Sequence, residues 1–141
     1  GQQVYLAESV EEACEILKGT REPVIFQKFV SESRGRDIRI NMVGGKPVAS
    51  MIRYNENDFR ANVTIGGSMK KYEPSELEIK AAQDACKLLG LDFGGVDILF
   101  GNEGPLVCEV NSNAHFKNIY DCTEINAADY IAEYVEKCLV G

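Results

Sequence analysis

Gly94-Gly95-Val96-Asp97-Ile98-Leu99-Phe100, then Gly101-Asn102-Glu103-Gly104, then Pro105-Leu106-Val107-Cys108-Glu109-Val110-Asn111, is the stretch on which the reading of this chain turns. Two apolar, β-branched runs flank a polar segment bounded by glycines, the pattern of a β-hairpin. Asp97 interrupts an otherwise apolar strand, and burying a lone carboxylate is costly. Glu109 and Asn111 are two residues apart and therefore share a strand face. A three-residue loop Asn102-Glu103-Gly104, with Gly104 in the left-handed position such loops require, sets Gly101 opposite Pro105. Counting back puts Asp97 opposite Glu109, with Cβ atoms roughly 5 Å apart. Like charges at that spacing repel unless something cationic sits between them. Removing one carboxylate should then leave the metal-free chain no less stable. Asp97, Glu109 and Asn111 are three hard oxygen ligands with no histidine or cysteine, a set suited to Mg²⁺ or Mn²⁺ held together with phosphate oxygens. Taken singly, each is better explained as satisfied by backbone, Lys or Arg; the three together on one face favour the metal.

Upstream, Asp37 to Val43 alternates polar and apolar residues, the period of a half-buried strand. Gly44-Gly45 marks a hairpin turn, and Pro47 to Tyr54 returns as its second strand. Asn55 to Met69 reads as a long polar loop with a short strand. Val24 to Val30 is rich in β-branched and aromatic residues and reads as another strand. Ser9 and Glu12 form a capping box for a helix ending at Lys18-Gly19. Pro74-Ser75-Glu76-Leu77-Glu78 opens the clearest helix, with Leu77, Ala81, Ala85 and Leu88 on its inner face and Gly90 as its stop. Asn126 caps a last helix, with Ala128, Ile131 or Ala132, Val135 and Leu139 facing inward. The order of elements predicts an α+β fold, an antiparallel sheet with flanking helices.

At 141 residues and 45% hydrophobic composition, the chain has the size of one ordinary domain with a proper core. A net charge of -7 argues against a nucleic-acid footprint. No apolar run is long enough to span a membrane and no signal peptide is visible, so the expected location is cytoplasmic. The five cysteines form no C-x-x-C pair and are expected to be reduced and mostly buried. His115 is the only histidine; it either touches substrate or is structural or solvated.

The motifs resemble the RimK-like branch of the ATP-grasp superfamily over nearly the whole chain. They are Val24-Ile25-Phe26-Gln27-Lys28-Phe29-Val30, Gly35-Arg36-Asp37-Ile38-Arg39, Phe59-Arg60-Ala61-Asn62, Gly66-Gly67, Gly94 to Leu99 and Gly104 to Asn111, in the family's order and near its spacing. The resemblance implies ATP and Mg²⁺ (or Mn²⁺) as cofactors, with Asp97, Glu109 and Asn111 as magnesium ligands. It places Gln27, Lys28, Phe29 and Val30 on the hinge along the adenine and Asp37 at a further nucleotide contact. It places Arg60 and Asn62 near the γ-phosphate and the acylphosphate, as catalytic and nucleotide-binding residues. A guanidinium such as Arg60 suits charge on a transferring phosphoryl group. Arg39 and Arg53 either face acceptor carboxylates or are solvated. The segment Ser112-Asn113-Ala114-His115-Phe116 departs from the family's usual turn after Glu-Val-Asn, which puts acceptor choice in doubt.

By this resemblance the chain is the C-terminal part of one ATP-grasp domain. Residues 1–30 would end the first lobe and carry the hinge strand, and residues 31–141 would form the metal- and phosphate-binding lobe. Gly1 would be the last glycine of an upstream lid. The expected activity is an ATP-dependent carboxylate–amine ligase that uses an acylphosphate, acts on small-molecule or peptide carboxylates with an amino acid such as glutamate, and requires N-terminal parts of the same protein. This chain alone is expected to fold but not turn over. A homo-oligomer is left open. The competing readings are a non-catalytic nucleotide- or metal-binding module and an oligomerisation domain.

Overall fold

In the computed structural model, which describes residues 3–61 and 66–140, the two predicted hairpins lie side by side in one sheet. The first hairpin is β1 (Arg36–Val43) and β2 (Lys46–Tyr54), and the second is β4 (Phe93–Gly101) and β5 (Gly104–Asn111). A short β3 (Ser68–Lys71) completes an antiparallel sheet in the order β3-β2-β1-β4-β5. Helices α1 (Val10–Lys18), α2 (Glu76–Leu88), α3 (Lys117–Thr123) and α4 (Ala127–Val140) accompany it. The α+β fold with an antiparallel sheet is as read from the sequence.

Each face of the sheet has its own cover. Ile38, Ile40 and Met42 of β1 and Val96 and Ile98 of β4 point to one side and pack on Ala82 and Cys86 of α2. All are essentially removed from water, and each aliphatic side chain so buried contributes about 1.5–3 kcal/mol. On the other side Ala49 and Met51 of β2 meet Ile119 of α3. α2 begins with a reciprocal cap. Glu78 Oε2 accepts from Ser75 N at 2.6 Å, and Ser75 Oγ accepts from Glu78 N at 3.4 Å. Tyr72 also donates to the buried Glu78 carboxylate at 3.2 Å. α4 is latched by Tyr134, which donates to Asp92 Oδ1 at 2.8 Å. Its ring lies so close over Gly44 that a Cβ there would sit 2.6 Å from it.

Several local expectations are corrected. Val24 to Val30 forms no strand. Propensity needs a neighbouring strand to satisfy the backbone, and Val24, Ile25 and Phe26 stand 46%, 95% and 73% exposed without one. α1 is capped by Ser9, but Glu12 reaches back to the Glu8 amide at 2.8 Å instead of that of Ser9. The buried stripe of α2 is Glu78, Ala82 and Cys86, one residue round from the predicted face, and Leu77 and Leu88 are exposed. α4 buries Ala127, while Val135 and Leu139 are exposed. α3 was not anticipated. Of the cysteines only Cys86 is buried, Cys122 is half-buried, and Cys14, Cys108 and Cys138 are exposed.

The turn between β4 and β5 is also shorter than predicted. Gly101 pairs with Gly104, which leaves a two-residue loop, Asn102-Glu103. That register would set Asp97 out of line with Glu109. A bulge between Asp97 and Ile98 restores it: Ile98 pairs with Val107 and Asp97 with Glu109, so Cys108 is the extra residue. The β1–β2 hairpin does the same. Its bulge lies between Asn41 and Met42, beside Pro47, which has no N–H to give the ladder.

Candidate functional site

Alternation along β1 sends Asp37, Arg39 and Asn41 to the face opposite Ile38, Ile40 and Met42. The two bulges then align their neighbours: Arg53 of β2 lies opposite Asp37, Asp97 of β4 opposite Arg39, Glu109 of β5 opposite Asp97, and Asn111 opposite Gly95. The result is a ladder of alternating charge across four strands.

Arg53 donates Nε and Nη2 to Asp37 Oδ1 and Oδ2, both at 2.7 Å, and the same Nη2 reaches Asp97 Oδ2 at 2.8 Å. Arg39 donates Nε to Asp97 Oδ1 at 2.6 Å and Nη2 to Oδ2 at 2.7 Å. Arg39 Nη2 also stands 3.8 Å from Glu109 Oε1, which accepts from Asn111 Nδ2 at 2.9 Å. Arg53, Asp97 and Asp37 are largely withdrawn from water, whereas the Glu109 side chain is 58% exposed.

The two buried carboxyls respond in opposite directions. Burial pushes the Asp37 carboxyl up, Arg53 offsets this only in part, and Asp97 adds to the rise. Burial also pushes against ionised Asp97, but the hydrogen bonds and charges of Arg39 and Arg53 outweigh it and hold that carboxyl below the ordinary range.

Asp97, Glu109 and Asn111 share this face, as the sequence implied. A carboxylate offers about four acceptor positions. Asp97 uses one on Oδ1 and two on Oδ2, so one on Oδ1 stays open. Glu109 is exposed, and Asn111 spends an N–H on it, which leaves the Asn111 amide oxygen as a third donor. Two carboxylates and an amide oxygen fit a hard divalent cation that keeps further ligands from water or phosphate. Among the described residues no three His, Cys, Asp or Glu side chains gather as a metal site.

The other expected contacts lie apart from the ladder. Gln27, Lys28 and Phe29 are exposed and Val30 is half-buried. Phe29 packs edge-on to Phe59 at 6.2 Å between ring centres. Phe29 therefore rests against the loop that carries Arg60. Arg60 is engaged by Asp58, Nε to Oδ1 at 2.9 Å and Nη2 to Oδ2 at 2.8 Å, and reaches the Val4 carbonyl at 3.4 Å. The Asp58 carboxyl is held down at about 2 by those Arg60 hydrogen bonds. Asn62 lies outside the described residues. His115 is exposed.

Arg39 and Arg53 are the residues sequence reasoning undervalued: neither is a solvated strand-face charge. The available signal was Asp37-x-Arg39, two residues apart on one face, with Arg53 across the hairpin. A simple count from Gly44-Gly45 would have put Arg53 out of line with Asp37, because the bulge beside Pro47 shifts the register.

A family model described as the RimK-like ATP-grasp domain matches residues 1–135. A protein of Maridesulfovibrio salexigens named "Probable alpha-L-glutamate ligase" is 42% identical over 141 residues, covering 97% of this chain and 47% of the relative. A protein of the same name from Legionella pneumophila is 41% identical with the same coverage. The chain thus spans about half the length of the curated relatives it matches. Among solved structures, the ATP-grasp ligase PsnB complexed with minimal precursor superposes with a TM-score of 0.65 at 24% identity, over 89% of this chain and 41% of that one. D-alanine–D-alanine ligase from Bacillus anthracis complexed with ATP gives a TM-score of 0.65 at 17% identity, over 93% of this chain and 48% of that one. Those two likenesses establish the fold. With its own motifs, its sheet and the match over residues 1–135 in agreement, this chain belongs to the RimK-like ATP-grasp family.

Proposed function

We propose that this chain is the Mg²⁺- and nucleotide-binding part of an ATP-dependent ligase that joins a carboxylate, activated as an acylphosphate, to the amine of an amino acid, with glutamate the first candidate. The observation that carries this reading is the alignment of Asp97 with Glu109 and Asn111 on one polar sheet face. The relatives named as alpha-L-glutamate ligases support the amine, and a small-molecule or peptide carboxylate is the partner proposed for it.

In this reading Asp97, Glu109 and Asn111 hold Mg²⁺, or Mn²⁺ in its place, which supplies charge neutralisation for phosphoryl transfer. Arg39 and Arg53 fix the Asp97 carboxylate so that one oxygen faces outward. Arg60, preset by Asp58, presents its guanidinium to phosphoryl or acylphosphate oxygens, with Asn62 beside it in sequence. Gln27 to Val30 offer backbone groups to adenine, and Asp37 contributes a further nucleotide contact. Residues 1–30 belong to the first lobe and hinge, and the remaining chain is the metal and phosphate lobe. The site is completed by further parts of the same protein, so this chain alone should bind ATP weakly and form no amide. No described helix is long and apolar enough to cross a membrane, and a cytoplasmic ligase is the matching proposal.

The test is amide formation and ADP release by the full-length protein with ATP, Mg²⁺ and glutamate. Asp97→Asn and Glu109→Gln should each lower turnover about 100-fold or more. Wild-type turnover in Glu109→Gln would sink the metal assignment. A second reading draws on the engagement of Asp97 by two arginines, which fill three of its roughly four acceptor positions: a non-catalytic module that keeps the ladder for structure. Nucleotide-dependent stabilisation without any amide product would select it.

A further inference from the structure

Asn41 is 3% exposed, and its Oδ1 accepts no hydrogen bond. β1 carries it two residues beyond Arg39 on the same face, between Ala49 of β2 and Gly95 of β4. It lines a cavity of about 30 Å³ together with Gly94, Ser112, Asn113 and Ala114. A buried acceptor left unmet costs about 1–3 kcal/mol. The cavity exceeds the roughly 10–15 Å³ that one water requires. Besides Asn41, Ser112 and Asn113 are the polar residues of its wall, while the remaining lining, Phe116 and Ile131 among it, is apolar. No carboxylate or cationic side chain lines it, so a small neutral occupant with hydrogens to donate fits and an ion does not.

The wall opposite Asn41 is the chain that leaves β5 just after Asn111. It folds back on β4 with no side chain between. A Cβ at Gly94 would lie 3.0 Å from the Asn111 carbonyl oxygen, and one at Gly95 would lie 2.8 Å from Ala114 Cβ. An alanine resting on a glycine offers few directional contacts to fix that segment.

We propose that the cavity holds one ordered water bridging Asn41 Oδ1 to the Ser112–Ala114 segment, and that Asn41 acts through it as a positioning residue for Asn111. The water site stands on the cavity and the unmet amide. The consequence for Asn111 rests on the metal reading above.

The full-length protein and its Asn41→Leu and Asn41→Ser variants separate these parts. A high-resolution crystal structure should show density 2.7–3.2 Å from Asn41 Oδ1. Asn41→Leu, similar in size but unable to hold the water, should speed amide exchange at residues 112–114 about tenfold. It should weaken Mn²⁺ binding by about tenfold, the scale of a lost outer-shell partner. Its melting temperature should stay level, because the leucine removes the buried acceptor together with the water that meets it. Stability and metal affinity would thus move apart, which a merely structural asparagine would not produce. Asn41→Ser leaves room for a second water and should keep Mn²⁺ affinity within about twofold. An empty cavity, or an Asn41→Leu protein with unchanged exchange and Mn²⁺ affinity, overturns the proposal. Density at Asn41 with faster exchange in Asn41→Leu, in a protein that binds no Mn²⁺ at all, overturns the metal reading and upholds the water.

Discussion

Arg39 and Asp97 face each other across the β1–β4 pairing and meet in a two-pronged ion pair, Nε to Oδ1 at 2.6 Å and Nη2 to Oδ2 at 2.7 Å. The pair sits largely out of water, with the two side chains 15% and 5% exposed. It answers the repulsion that the bare sequence posed for Asp97 and Glu109: the cation between them belongs to the protein.

Asp97→Asn therefore removes an anion that two buried guanidinium groups depend on. The metal-free protein should lose about 3–5 kcal/mol, contrary to the expectation that removing a carboxylate costs nothing. Glu109→Gln, at an exposed and loosely paired position, should cost less than about 1 kcal/mol. Urea unfolding of both variants with chelator present checks this. Equal losses would show that Asp97 does not anchor the ladder.

The ladder holds three carboxylates, Asp37, Asp97 and Glu109, against Arg39 and Arg53, a balance of one net negative charge. Bare divalent cations should bind weakly, and phosphate oxygens would supply the missing charge. Arg39→Gln raises the net charge to two negative, and it should tighten Mn²⁺ binding without nucleotide about tenfold at low salt, even as the fold weakens. Isothermal titration reads this directly. Weaker binding in the variant would show that Arg39 counts more by holding the Asp97 carboxylate in place than by its charge.

Asp58 should titrate at about 2 in the folded protein, below its ordinary 3.8, because Arg60 donates to its ionised form. A depressed carboxyl stabilises the fold above its ordinary pKa. The Asp58–Arg60 clasp is thus complete above about pH 4 and is lost as pH falls toward 2. Carboxyl carbon shifts by NMR should show this midpoint, and Arg60→Gln should return it toward 3.8. A wild-type midpoint near 3.8 would mean the clasp does not persist in solution.

Gly95→Ala would drive a Cβ to 2.8 Å from Ala114 Cβ and push the Ser112–Ala114 segment away, at a cost of about 1–3 kcal/mol. Ala114→Gly in the same molecule should recover most of that loss. A double-mutant cycle by thermal melting should give a coupling of about 1 kcal/mol or more. Additive losses would show that the segment moves aside freely.

Much of this architecture was legible beforehand, because alternation and glycine turns encode hairpins locally. A three-residue loop and an unbroken ladder set Asp97 opposite Glu109, and so do the actual two-residue loop and the bulge at Cys108, because the two differences offset each other. Bulges depend on tertiary fit and leave little mark on a sequence. For the same reason Arg53 could not be aligned with Asp37 by counting. The rotated stripe of α2 has a different cause. Leu77 and Leu88 looked like core by hydrophobicity, yet the capping box buries Glu78, and that turns Ala82 and Cys86 inward. Residues 24–30 carried strand propensity without a partner strand, and propensity alone does not order a backbone. Arg39 and Arg53 stayed ambiguous because whether a charge is solvated or paired is decided by neighbours distant in the chain.

The bulge at Cys108 bears on how this hairpin tolerates insertions and deletions over descent. Ile98 and Asp97 already pair with Val107 and Glu109, so Cys108 is the one residue of β5 whose loss would leave every cross-strand partner in place. A lineage could drop it and keep Asp97 facing Glu109, whereas a single deletion between Gly104 and Val107 would draw on that spare residue to hold the same alignment. The hairpin therefore carries one residue of slack between its variable tip and its carboxylates, and the tip can drift in length by that much before the carboxylates part.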